Sequence, residues 1–307
     1  GLVSDNEMIR TYAADLLSVV ETKLHNSSYI KVFEERLSNS SKTVFKSTAQ
    51  EISSIFADLL SQELCLRIFS TLVRILELFQ FEIKRDILVL MVPWVNKFTL
   101  KSLDEIDTYM VLNNLFYITV DLNDTFPKEV EQLWISLGKG NAFQNTHVAL
   151  EYIMTCSISY CNPIFVEYAS DVVLYLANVP GGLGLVDSLL QNLKPKLIVP
   201  THSELPTLPS NNNKYVFVGD VVSRLNYHGK SVIFSKTQIT IVFLVNLLNS
   251  PLDALKDELP SLLHISVCLL DHYIPVVKKS ASRLLCNLIF LFSPTHEKTD
   301  LTVEILR

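Results

Sequence analysis

The stretch Val111–Leu137, VLNNLFYITVDLNDTFPKEVEQLWISL, reads as one apolar helix turning sharply into a second, amphipathic one. Phe126, Val130, Leu133, Trp134 and Leu137 recur at the spacing of a single helix face, and Lys128, Glu129, Glu131 and Gln132 fill the rest. One face is therefore expected to be buried and the other wet. Thr125 can cap the second helix, and Pro127 suits its first turn, where no backbone N–H is needed. Glu129 and Glu131 lie near the positive end of its dipole. The pattern is that of a helical hairpin.

Working outward, the chain reads as helix after helix. The predicted segments are Asp5–Leu24, Thr43–Leu60, Glu63–Phe79, Lys84–Lys97, Asp104–Asp121, Pro127–Gly138, Ala142–Ser157, Pro163–Ala177 and Leu183–Leu193. Asn162-Pro163 is a cap followed by proline at the first helical position, and Gly181-Gly182 supplies a stop after Ala177. Between Asp104 and Leu183 a new helix starts about every 20 residues, so a helix pair repeats near 40, the spacing of HEAT and armadillo arrays (~40–47). One such pair cannot bury its apolar stripe alone, and stacking on its neighbours completes the core.

The rhythm breaks between Lys194 and Ser235. Pro195, Pro200, Pro206 and Pro209 lead into Asn211–Asn213, and then Tyr215–Val218 and Ser231–Phe234 alternate like short strands. Helices resume at Lys236–Leu248, restart after Ser250-Pro251 and end with Ile274–Phe292, whose stripe is Val277, Ala281, Leu284, Leu285, Leu288 and Phe292. The expected organisation is helical repeats over 1–193, a loop and short-strand insertion over 194–235, and helical repeats over 236–307. The fold class is all-α, a HEAT/armadillo-like solenoid with an irregular, partly β insertion. The polar, proline-flanked Asn211–Asn213 is the expected site of preferred proteolysis.

The hairpin continues into HVALEYIMTCSISYCNPIFVEYASDVVLYLAN. The order LNNL, then P-K-E-V-E-x-L-W, then Y-A-x-x-V-V-L-Y-L resembles the central-to-C-terminal region of the Furry family of cell-morphogenesis proteins, which includes the fungal Tao and Mor type. Further on, LPSLLHISVCLLDHYIPVVKKSASRLLCNLI is similar to that family's L-P-x-L-L-H-x-x-x-x-x-L-D-H-x-x-P-L-V helix pair. The two stretches cover about a third to a half of the chain and hold no catalytic signature, so the resemblance implies a fold and a role, not a chemistry. It implies a scaffold in polarised growth, associated with an NDR/LATS-type kinase and its Mob co-activator in RAM signalling.

Composition is compatible with that role. The 307 residues are 49% hydrophobic and 19% charged, and the mean hydropathy of +0.29 is high. Helices buried on two sides, or a surface that meets a partner, would account for both. No apolar run approaches the ~18–20 residues of a membrane span, the longest lying near Asp86–Trp94 and Ile239–Leu248, so no integral membrane segment is expected. A net charge of −6 gives no general attraction for nucleic acid. Gly1 at the start suggests a piece of a longer protein. Cys65, Cys156, Cys161, Cys268 and Cys286 fall mostly within apolar helical runs, the pattern of a reduced, intracellular protein. Asn26, Asn39 and Asn123 head glycosylation-like triplets that read as chance.

Four constellations invite a chemical reading. His264, Cys268 and His272 stand at i, i+4 and i+8 with Asp271 beside them, ligand types that zinc accepts. An eight-residue span is stretched for one tetrahedral ion, however, and Cys268 in LLHISVCLL behaves as a small core residue. A Cys–His nucleophile from the same residues lacks an oxyanion-hole loop or protease signature. Gly181-Gly182-Leu183-Gly184 precedes a helix but follows another and lacks a phosphate-loop lysine, so it reads as a stop and hinge. Trp94, Trp134, Tyr168 and Tyr175 sit in or beside apolar stripes and read as packing between repeats rather than a peptide cage. Lys278, Lys279 and Arg283 form a basic face near a helix N-terminus, where like charges cost a few tenths of a kcal/mol. These three are the candidate partner-binding residues, set against the plainer reading of a solvated face. Catalytic, cofactor and metal residues are expected to be none. The reading is a non-enzymatic scaffold segment acting in the cytoplasm at sites of polarised growth or the cell cortex. Its rivals are a transport or assembly adaptor and a Cys/His hydrolase.

Overall fold

The computed structural model describes residues 6–24, 42–140, 142–179, 184–193, 221–225, 227–248 and 254–292. Every regular element among them is an α-helix. The chain forms two compact units, residues 1–99, 113–140 and 210–219 in the first, and 100–112, 141–209 and 220–307 in the second.

The first unit holds α1 (Glu7–Leu24), α2 (Lys42–Leu59), α3 (Gln62–Leu76), α4 (Phe81–Val95), the later turns of α5 (Ile106–Leu122) and α6 (Pro127–Gly140). Ser61 starts α3, its side chain accepting from the Leu64 N–H at 3.4 Å. Four residues join α3 to α4, and since the two pack together they must run back along one another. Helices two places apart also touch, α2 with α4 and α4 with α6. Polar links between elements recur at one interval. The Ser53 hydroxyl donates to the Leu90 carbonyl at 2.6 Å, Trp94 Nε1 donates to Ser53 Oγ at 2.6 Å, and Tyr117 bonds Glu77. Ion pairs join Lys46 to Asp86 at 2.6 Å, Lys97 to Asp58 at 2.5 Å and Arg85 to Glu129 at 2.6 Å. Their partners stand 37 to 44 residues apart, the interval expected of a two-helix repeat.

The hairpin is as the sequence requires. Val130, Leu133, Trp134 and Leu137 are wholly buried, whereas Lys128 and Gln132 are exposed. Phe126 is half-buried and packs its ring against Phe81 at 4.9 Å between centroids. The helix begins at Pro127, so Phe126 rather than Thr125 occupies the cap position, and its carbonyl accepts from the Val130 N–H at 3.1 Å. Trp134 Nε1 donates to Thr119 Oγ1 at 2.9 Å, and that hydroxyl donates to the Leu115 carbonyl. Thus neither tryptophan carries an unsatisfied N–H into the core.

The second unit contains the first turns of α5, then α7 (Ala142–Tyr160), α8 (Pro163–Ala177), α9 (Gly184–Leu193), the short α10 (Val221–Arg224), α11 (Lys236–Leu247), α12 (Ala254–Cys268) and α13 (Pro275–Phe292). Its centre is α11. Every residue from Thr237 to Val245 is buried, because α7, α8, α9 and α13 pack around it. A helix that is apolar on all sides demands such a surround. Ser235 and Gln238 close a capping box at its start, the serine hydroxyl accepting from the Gln238 N–H and the glutamine carbonyl oxygen from the Ser235 N–H. Asn162 caps α8 in the expected way, accepting from the N–H groups of Ile164 and Phe165. Helix starts and ends lie within a few residues of the sequence reading, and Pro163–Ala177 coincides with it.

One expectation requires correction. Ser231–Phe234 is not a strand. Its alternation is real, since Ile233 is exposed and Phe234 is buried, but among the described residues no ladder partner lies beside it. The Val232 N–H donates to the Cys161 carbonyl at 2.8 Å and ties the run to the end of α7. Cys161, in a left-handed turn with φ 52° after α7, presents that carbonyl. The extended run delivers Phe234 to the core and Ser235 to the helix cap. Tyr215–Val218, Asn211–Asn213 and Gly181-Gly182 lie outside the described residues, as do Asn26 and Asn39. Asn123 is buried.

Candidate functional site

Three helices of the second unit form a groove of about 390 Å³ with charged walls. In α8, burial of Val166, Ala169, Val172, Val173 and Leu176 turns Glu167 and Asp171 to the opposite face. In α13, Val277, Ala281, Leu284 and Leu288 are buried, so Lys279 and Arg283 stand off the stripe and line the other wall. Between them lies α11, which packs against both. At the floor, Asn246 Nδ2 donates to Ser170 Oγ at 2.7 Å, and the Ser170 hydroxyl lies 3.5 Å from the Val242 carbonyl. Asn287 Nδ2 donates to the Val245 carbonyl at 3.3 Å and ties α13 to the same helix. The floor is thus held by hydrogen bonds and the walls carry opposite charge.

The structure divides the basic face read from the sequence. Lys279 and Arg283 enter the groove, whereas Lys278 does not line it and stands 3.9 Å from the exposed Asp271. A pair so open to water contributes little. Sequence reasoning missed Glu167 and Asp171, which lie more than a hundred residues from their opposing cations. One signal was present, for both walls carry like charges four residues apart on a helix, an arrangement with a small intrinsic cost.

The histidine and cysteine cluster does not assemble along one helix. α12 ends at Cys268, so His272 falls in the following turn and the i+8 register is lost. His264 Nε2 and Cys268 Sγ are 3.7 Å apart on the exposed face. His272 turns elsewhere, its Nε2 lying 3.0 Å from Gln238 Nε2 and its Nδ1 accepting from the Ile274 N–H at 3.2 Å. Its ring stacks on Tyr273. No group of three or more metal-ligating side chains converges among the described residues.

Burial lowers the His272 pKa by disfavouring the imidazolium. The folded state therefore prefers the neutral ring, and this contribution is fully present above the unfolded value of about 6.5. It is lost as pH falls through the lower folded value, because there the unfolded chain binds the extra proton first. The melting temperature should fall between about pH 7.5 and pH 5, and His272→Gln should make the fall shallower. An unchanged slope would show that His272 is not coupled to folding.

The cysteines differ sharply in environment. Cys65 and Cys156 are buried, Cys268 and Cys286 exposed, and Cys161 lies between. Desolvation raises the Cys65 thiol and pushes that of Cys156 up to about 12. A disulfide thiol reagent should therefore label Cys268 and Cys286 at once, Cys161 more slowly, and Cys65 and Cys156 only in denaturant. Mass mapping of the labelled peptides checks the order, and prompt labelling of Cys156 in the folded chain would contradict it.

Comparison with known proteins adds the family. The model of the cell morphogenesis central region matches residues 39–194 and 201–302. The chain belongs to that family. Cell morphogenesis protein PAG1 of Saccharomyces cerevisiae is 67% identical over 307 residues, all of this chain and 13% of that protein. Cell polarity protein mor2 of Schizosaccharomyces pombe is 21% identical over 207 residues, 66% of this chain and 9% of that protein. The chain therefore spans a small part of the length of these relatives. No solved structure matches it. The cell morphogenesis match is interrupted only at residues 195–200, so most of the segment read as an insertion, 201–235, lies within the family pattern. No helix among the described residues is long and apolar enough to cross a membrane.

Proposed function

We propose that the chain is a non-enzymatic, protein-binding segment of a large cell-polarity and morphogenesis scaffold, built from HEAT/armadillo-like repeats. The family match over 39–194 and 201–302 carries this reading, and polar links near 40 residues support the repeat architecture. Such an array offers a long surface on which weak contacts add up, raising the local concentration of bound partners. The proposed partners are an NDR/LATS-type kinase and its Mob co-activator, and the proposed place of action is the cytoplasm at sites of polarised growth.

The test is affinity purification of a tagged full-length protein with and without this segment. Recovery of the kinase and Mob with the intact protein, reduced when the segment is deleted, is the expected result. Recovery of a transport GTPase or cargo instead would replace the scaffold with an adaptor. A measurable turnover abolished by Cys268→Ala, with the helical signal intact, would overturn the non-enzymatic reading.

A further inference from the structure

We propose that the groove between α8 and α13 receives an extended polypeptide segment of a partner protein in which acidic and basic side chains alternate. The inference deepens the protein-binding reading above and rests on it. Among the described residues, neither Lys279, Arg283 nor Glu167 has an ion-pair partner, although opposite charge lines the facing wall of the same groove. No ion pair joins the two walls among the described residues, so an occupant that carries both charges can pair with Lys279, Arg283 and Glu167 at once. A free anion or a nucleic-acid backbone would meet Lys279 and Arg283 but be repelled by Glu167 and Asp171.

An extended segment fits the spacing. Each wall carries its two charges four residues apart on a helix, a rise of roughly 6 Å. In an extended chain, successive side chains point to opposite sides, and those on one side repeat at roughly 6.4–6.8 Å. Acidic residues at alternate positions would face Lys279 and Arg283, while the basic residues between them would face Glu167 and Asp171. The half-buried Asn246 amide lies at the floor, where the main chain of the segment would run.

The probes are two labelled peptides of one composition, Glu-Lys repeated four times and a block of glutamates followed by a block of lysines. Fluorescence anisotropy with the full chain at low salt should show the alternating peptide binding about tenfold more tightly than the block, with affinity falling as salt rises. Lys279→Glu with Arg283→Glu should weaken it about tenfold without altering the circular dichroism, since no buried stripe residue changes. Adding Glu167→Lys and Asp171→Lys exchanges the walls and should restore binding, because the alternating peptide need only slip by one residue. If the charge reversals perturb folding, Lys279→Gln with Arg283→Gln serves in their place. Equal affinity for both peptides, or undiminished binding in the folded variant, would overturn the inference. If the kinase and Mob are still recovered with this segment, that outcome removes only the groove and leaves the scaffold reading standing.

Discussion

Trp134→Asp should abolish cooperative folding of the first unit. Trp134 is wholly enclosed, and its indole N–H is already matched to Thr119. The substitution removes the ring, leaves the Thr119 hydroxyl without its donor and places a carboxylate in a fully buried site. Loss of a large buried aromatic costs about 3–5 kcal/mol, and an unpaired buried charge adds several more, together comparable to a whole domain's stability of about 5–15 kcal/mol. Leu133→Asp, at an equally buried neighbour, should act the same way. Lys128→Asp on the exposed face of the same helix is the control and should leave melting nearly unchanged. Thermal unfolding followed by circular dichroism decides the matter, and native melting in both buried variants would disprove the hairpin packing.

Phe243→Ala is the corresponding test of the second unit. Phe243 is fully buried on α11, which neighbouring helices enclose on all sides. No exposed face lets the site collapse onto the missing ring, so the cost should lie at the upper end of about 3–5 kcal/mol. The denaturant midpoint of that unit should shift strongly with an unchanged slope. A shift below about 1 kcal/mol, the size of an ordinary surface effect, would mean that α11 is not the centre of the unit.

The helices were legible because their signals are local. Val130, Leu133, Trp134 and Leu137 state a buried face within one segment, and Asn162-Pro163 states a start. The apolar run Ile239–Leu248, broken at Thr240 and Asn246, was read only as too short to span a membrane, and the enclosure of α11 was not anticipated. Ser231–Phe234 misled because in-and-out alternation reports extended backbone, whereas a strand also needs a hydrogen-bonding neighbour that the local pattern cannot supply. The cap at Phe126 was misplaced by a single residue for a similar reason. Thr125 has the better side chain, but Pro127 fixes where the helix begins.

Half of the candidate groove was visible and half was not. Lys279 and Arg283 drew notice as like charges on one helix, and the same pattern in Glu167 and Asp171 passed unnoticed. What places the acidic pair opposite the basic pair is the packing of α8 and α13 on α11, a tertiary fact with no trace in residue spacing. The zinc-type spacing of His264, Cys268 and His272 failed in the opposite sense. It assumed a helix that continues to position 272, whereas the helix stops at Cys268 and gives His272 to Gln238 and Ile274.

The intervals between bonded residues also bear on the order in which the protein is made. In the first unit the links near 40 residues allow each helix pair to close soon after it leaves the ribosome, a low contact order that favours rapid, stepwise folding. The bonds from Ser170 to Val242 and from Asn246 to Ser170 span 72 and 76 residues. Because loop-closure entropy grows only logarithmically, nearly doubling the span adds roughly 0.6 kcal/mol to the ordering cost. The penalty is mainly one of time. α8 is synthesised well before α11, against which it packs, so the nascent second unit is expected to lean on chaperones more than the first.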